Sequence, residues 1–133
     1  MARIMLIDDD VELADNTALL LRHHGHEVAV RYATEEALPA LEQWGPDLLI
    51  LDVMFPGNPA GGFDLARRIR QPGSPVKALP IILLTGINQE LAAGFSALDI
   101  DPQWMPVQDF MEKPLMLDAL LEKISRMLNP VYA

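Results

Sequence analysis

Apolar residues along this chain gather into short runs, and each run stops at a polar or turn-forming residue. Ile4-Met5-Leu6-Ile7, in a first strand predicted from Arg3 to Ile7, passes into Asp8-Asp9-Asp10, Leu48-Leu49-Ile50-Leu51 into Asp52, and Pro80-Ile81-Ile82-Leu83-Leu84 into Thr85-Gly86. Aliphatic runs of this length, bounded by turn formers, predict strands buried on both faces. Glu27 to Arg31 alternates weakly through Val28 and Val30 and predicts a further short strand. Val107 to Glu112 predicts the last strand, ending at Lys113-Pro114.

Between the strands the apolar spacing changes to that of helices. Val11 to about His24 carries acids early (Glu12, Asp15) and Arg22, His23 and His24 late, an order that suits the helix dipole. Asp10 fits its N-cap, Gly25 its stop, and Leu13, Thr17, Leu20 and Leu21 its apolar stripe. Thr34 is a candidate cap for a helix to about Gln43, with Leu38 and Leu41 inward and Pro39 predicting a kink or an early end. Further helices are predicted from Phe63 to about Arg70, from Asn88 to Leu98, and from Met116 to Leu128. The last is the most regular, with Leu117, Leu120, Leu121, Ile124 and Leu128 at helical spacing. Phe55 to Gly62 and Asp99 to Pro106, which contains Trp104, read as irregular loops.

Strand and helix thus alternate five times. That pattern predicts an α/β fold, a doubly wound five-stranded parallel sheet flanked by five helices. Ligands of such sheets sit at the carboxyl ends of the strands. In this chain those ends carry Asp8-Asp9, Asp52, Thr85 and Lys113.

Composition narrows the picture. A chain of 133 residues, half of them hydrophobic, suits one domain with its own core, and no linker or internal repeat divides it. Ten Lys and Arg against nineteen Asp and Glu give a formal net charge of −9. That charge argues against gripping nucleic acid unaided or adhering to an anionic membrane. Cysteine is absent, which excludes disulfides and thiolate metal sites. The apolar run after Arg3 is too short for a signal peptide and no stretch spans a bilayer, so a cytoplasmic protein is the expectation.

Carboxylates converging on one sheet edge repel each other, and a hard divalent cation with oxygen ligands and retained water, Mg²⁺, relieves that repulsion. No His lies near these strand ends, which disfavours softer metals. With a cation beside it and Lys113 opposite, Asp52 becomes a nucleophile able to accept a phosphoryl group. Thr85 can donate a hydrogen bond to a phosphoryl oxygen, and Gly86 leaves room for one. Taken singly, these residues read more blandly: a solvated acidic turn, a strand-end threonine, a surface lysine. Asp10 reads as a helix cap only, and His23, His24 and His26 as surface residues.

Asp8-Asp9, Leu51-Asp52-Val53-Met54-Phe55-Pro56-Gly57, Leu84-Thr85-Gly86 and Lys113-Pro114, in this order and spacing, resemble the receiver domain of bacterial two-component response regulators. The resemblance covers nearly the whole chain and implies a single receiver domain over residues 1–133, with the flavodoxin-like strand order 2-1-3-4-5. It implies that Asp52 is the phosphoacceptor, that Asp9, Asp52 and the Met54 carbonyl ligate Mg²⁺ directly, and that Asp8 acts mainly through water. Thr85 and Lys113 would bind the phosphoryl group, Phe110 would be the switch aromatic, and the Lys113-Pro114 bond would be cis. The donor would be a phosphohistidine on a histidine kinase or phosphotransfer protein. Output would pass to a downstream protein or an output domain. A homodimer through the fourth helix, fifth strand and fifth helix would also fit.

The chain departs from the family pattern in a longer loop after Pro56 and a longer segment from Ile87 to Asp109. A pseudo-receiver, a binding module no longer controlled by phosphate, is the alternative that such loops favour. An aspartate-nucleophile phosphatase of the haloacid-dehalogenase type would need an acid two residues after Asp52, where Met54 stands. Met54 and Ile87, two residues beyond Asp52 and Thr85, are both apolar, and in this family those positions influence how water reaches the phosphoryl group. Slow self-dephosphorylation is therefore expected. Polar residues at both positions should shorten the acyl-phosphate lifetime, and an unchanged lifetime in that double variant would contradict the reading.

Overall fold

Successive residues of a strand point to opposite faces of its sheet, so an aliphatic run can build two cores at once. The computed structural model describes residues 2–35, 37–52, 61–85, 109–112 and 116–128, without the side chains of residues 61, 63, 85, 109, 110 and 112. Five strands, β1 (Arg3–Ile7), β2 (Glu27–Arg31), β3 (Leu48–Asp52), β4 (Ile81–Thr85) and β5 (Asp109–Glu112), pair in parallel in the order β2-β1-β3-β4-β5. Four helices are described, α1 (Val11–His23), α2 (Ala37–Trp44), α3 (Gly61–Ile69) and α4 (Leu117–Leu128).

Met5, Ile7, Leu49, Leu51, Ile81 and Leu83 form one core with Ala37 and Leu41 of α2 and Leu65, Ala66 and Ile69 of α3. Ile4, Leu6, Leu48, Ile50, Ile82 and Leu84 form the other with Ala14, Ala18 and Leu21 of α1 and Leu120 and Ile124 of α4. The strand residues therefore divide by parity, and helices cover both faces, as the alternating pattern predicts. Every residue of β3 is buried. Each of its aliphatic side chains contributes about 2 kcal/mol of transfer free energy, which offsets the cost of enclosing Asp52 at its end.

The amino end of the sheet is closed by Arg3. Its N–H donates to Asp47 Oδ2 at 2.9 Å, its guanidinium pairs with Glu27 at 2.9 Å, and the same group lies 4.6 Å from the Trp44 ring centre. One residue thus ties β1 to both flanking strands and to α2.

Several elements differ from the sequence expectation. On α1 the buried stripe is Ala14, Thr17, Ala18 and Leu21, and Leu20 is exposed. Small alanines let this helix lie close to the sheet, and the larger Leu20 falls outside that contact. Helix α2 starts at Ala37 rather than after Thr34, whose carbonyl accepts the Ala37 N–H at 3.1 Å. Pro39 consequently lies in the first turn, where its missing N–H costs no helical bond, so it neither kinks nor ends the helix. Helix α3 begins two residues earlier than expected, at Gly61, and the C-terminal helix one later, at Leu117. The helix expected over Asn88 to Leu98, the loop around Trp104 and residues 107–108 of the last strand lie outside the described residues.

Gly25 ends α1 with φ +92°, a conformation that side-chain-bearing residues rarely adopt, and turns the chain to His26. There His26 Nδ1 accepts the Ala2 N–H at 3.3 Å. Burial, then the charges of the amino terminus and His24, hold the His26 imidazole below its ordinary value. The unfolded chain therefore takes up its proton at higher pH than the folded one. The resulting stability is complete above about pH 6.5 and drains away as pH falls through the folded value. Urea midpoints are expected to drop between pH 7.5 and 5.5, and His26→Gln, which can still accept from Ala2, should flatten that drop. Parallel curves for the two proteins would remove His26 from the account.

Candidate acidic site

Parallel pairing sets the site. β1 lies between β2 and β3, with Ile7 opposite Leu51, so the next residues, Asp8 and Asp52, leave the sheet side by side. The Asp8 N–H donates to the Arg31 carbonyl at 3.0 Å, which extends the hold of β2 one residue past β1. Asp8 Oδ1 accepts the Asp10 N–H at 3.0 Å, and Asp10 Oδ1 accepts the Leu13 N–H at 3.1 Å, capping α1 as the sequence predicts. The tight turn so made carries Asp9 to the same edge.

Asp8, Asp9 and Asp52 each place a carboxylate oxygen within 4.8 Å of the others'. Asp8 is fully enclosed, Asp52 is 2% exposed, and Asp9 is half-buried. At an effective dielectric near 20, two unit charges at this separation repel by about 3 kcal/mol. Three hard oxygen donors, open on the Asp9 side, fit a small divalent cation that keeps part of its water shell.

Thr85 ends β4, one residue beyond Leu84, which pairs with Asp52. It therefore stands at the same edge of the sheet. Its backbone pairs with Glu112 of β5, the residue before Lys113. Phe110 pairs with Leu83 in the same ladder. Met54, Lys113 and the Lys113-Pro114 bond lie outside the described residues, as do Gly86 and Ile87.

A family model, the response regulator receiver domain, matches residues 4–125. The chain belongs to the response regulator receiver family. Among curated relatives, the transcriptional regulatory protein AfsQ1 of Streptomyces coelicolor is 41% identical over 68% of this chain. The CAI-1 autoinducer sensor kinase/phosphatase CqsS of Vibrio cholerae is 32% identical over 92%. The matched stretch spans only 38% of AfsQ1 and 17% of CqsS. Among solved structures, the receiver domain of NtrX from Brucella abortus superposes with a TM-score of 0.77 at 28% identity, covering 95% of this chain and 98% of that one. Among the described residues no helix is long and apolar enough to cross a membrane.

One contact between α1 and the exit of β2 has no signal in the sequence. The Tyr32 hydroxyl, just past β2, donates to Asp15 Oδ1 on α1 at 2.6 Å, across seventeen positions of chain. That bond, followed by desolvation and the Asp15 charge, raises the Tyr32 hydroxyl above its ordinary value. Neither residue belongs to an apolar pattern or a motif, so periodicity could not pair them.

The acidic cluster should report its own charge. Replacing one acid with Asn is expected to stabilise the receiver without cation, by relieving repulsion. Magnesium at about 100 times its dissociation constant should add about 2.7 kcal/mol to the wild type, and much less to Asp9→Asn or Asp52→Asn. Thermal melts with and without Mg²⁺ measure both effects, and equal increments in all three proteins would contradict a cation site at these residues.

Proposed function

We propose that this receiver domain is a phosphoacceptor switch, taking a phosphoryl group onto Asp52 from a phosphohistidine of a histidine kinase or phosphotransfer protein. The observation that supports the reading is the enclosed Asp52 at the end of β3, with Asp8 and Asp9 within 4.8 Å. In this reading Asp8, Asp9, Asp52 and the Met54 carbonyl hold Mg²⁺. The ion, when bound, supplies positive charge against the oxygens of the transferring group.

Asp52 presents a carboxylate oxygen to phosphorus. A P–O bond forms to Asp52 as the P–N bond to the donor imidazole breaks and the imidazole leaves with the bonding pair. The burial of Asp52 keeps water away from the acyl phosphate and so favours signalling over hydrolysis. Lys113 and Thr85 bind phosphoryl oxygens through charge-assisted and neutral hydrogen bonds. The chain acts as an enzyme only on itself, in gaining and losing this group.

Phosphorylation brings roughly one further negative charge and three acceptor oxygens to the edge of the sheet. A near-complete swing between two conformations needs a differential of about 5.5 kcal/mol, which a few charge-assisted bonds at Thr85 and Lys113 can supply. Phe110 on β5 would follow Thr85, carrying the change to the face built from β5 and α4. That face would meet a downstream protein, an output domain or a second receiver. AfsQ1 is named a transcriptional regulator, so an output acting on transcription is one such destination, reached through another domain or protein because this chain is acidic.

Incubation with acetyl phosphate and Mg²⁺ should add the mass of one phosphoryl group to the intact protein and nothing to Asp52→Asn. An unmodified wild type, or equal modification of both proteins, would reject Asp52 as the acceptor.

A further inference from the structure

The stretch from Asp8 to Asp15 holds five acids in eight residues: Asp8, Asp9, Asp10, Glu12 and Asp15. Their mutual repulsion works to lift this stretch away from Asp52. Two successive residues leaving β2 oppose it at its two ends. The Arg31 carbonyl accepts the Asp8 N–H at 3.0 Å, and the Tyr32 hydroxyl donates to Asp15 Oδ1 at 2.6 Å. Between the two fastenings lie Asp9 and the first turn of α1.

We infer that Tyr32 is a positioning residue for the cation site: by holding Asp15, it fixes the start of α1 and thereby the reach of Asp9 toward Asp8 and Asp52. The inference rests on the reading of this cluster as a magnesium site.

A neutral hydroxyl suits the task. It satisfies Asp15 without adding a positive charge that would compete with the cation nearby. Because β2 is the edge strand and, among the described strands, pairs with β1 alone, the Tyr32–Asp15 contact adds a link between the β2 exit and α1 that is independent of the ladder.

Tyr32→Phe keeps the ring and removes only the donor. Magnesium titrated calorimetrically into the full chain should bind this variant about three- to fivefold more weakly than wild type, the scale of one hydrogen bond to a carboxylate at an exposed position. Acetyl phosphate labelling of Asp52 should be slower at low magnesium and return to the wild-type rate at saturating magnesium. In an Asp15→Ala background, adding Tyr32→Phe should weaken magnesium binding no further, since the partner is already gone. Unchanged affinity in Tyr32→Phe, full additivity in the double variant, or a labelling deficit that persists at saturating magnesium would each overturn the positioning role. A wild type that binds no magnesium would instead overturn the reading of the site itself.

Discussion

Like-charge repulsion at one end of a sheet governs this molecule. Asp8 and Asp52 leave neighbouring strands because Ile7 pairs with Leu51, and Asp9 joins them through a turn held by the Asp8 and Asp10 side chains. None of these carboxylates could be placed so close without a rigid frame. The frame is the double core, in which odd-numbered residues of β1 and β3 pack on α2 and α3 and even-numbered residues on α1 and α4. Shift either strand by one residue and the aliphatic side chains change faces, while Asp8 and Asp52 lose their alignment. Packing on both faces therefore specifies the register, and the register specifies the site.

That coupling explains why so much of the sheet was legible from sequence. β1, β2 and the end of β3 follow from unbroken or alternating apolar runs, and their limits match the strands. The helices were less legible because propensity and capping are local, whereas burial is not. Leu20 looked like a core residue by spacing, yet the stripe that meets the sheet is built on Ala14, Ala18 and Leu21, where small side chains permit close approach. Pro39 looked disruptive because Thr34 looked like the cap; once the helix starts at Ala37, the proline falls where no N–H is required.

The acidic cluster was legible in a different way. Asp8, Asp9 and Asp52 were assigned to one edge because parallel topology sends every strand's carboxyl end to the same side, and their oxygens are found together. What the pattern could not supply is the bracing around them. The Arg31 carbonyl is a backbone atom with no residue preference, and Tyr32 meets Asp15 because α1 packs directly on β2. Contacts of this kind follow from tertiary placement, and a one-dimensional pattern carries no record of them.

The placement of the acids also bears on how a modification here can be felt elsewhere. An exposed carboxylate would gain charge in a high-dielectric medium, where the change dissipates within a Debye length. Asp52 sits at the end of a strand whose residues are all buried, so charge added there is poorly screened by solvent. The groups able to respond are those that share the edge, and β4 and β5 bring the backbone of Thr85 and Glu112 to it in register. In a sheet so ordered, the burial of Asp52 and the approach of the β4–β5 edge to it are consequences of the same packing.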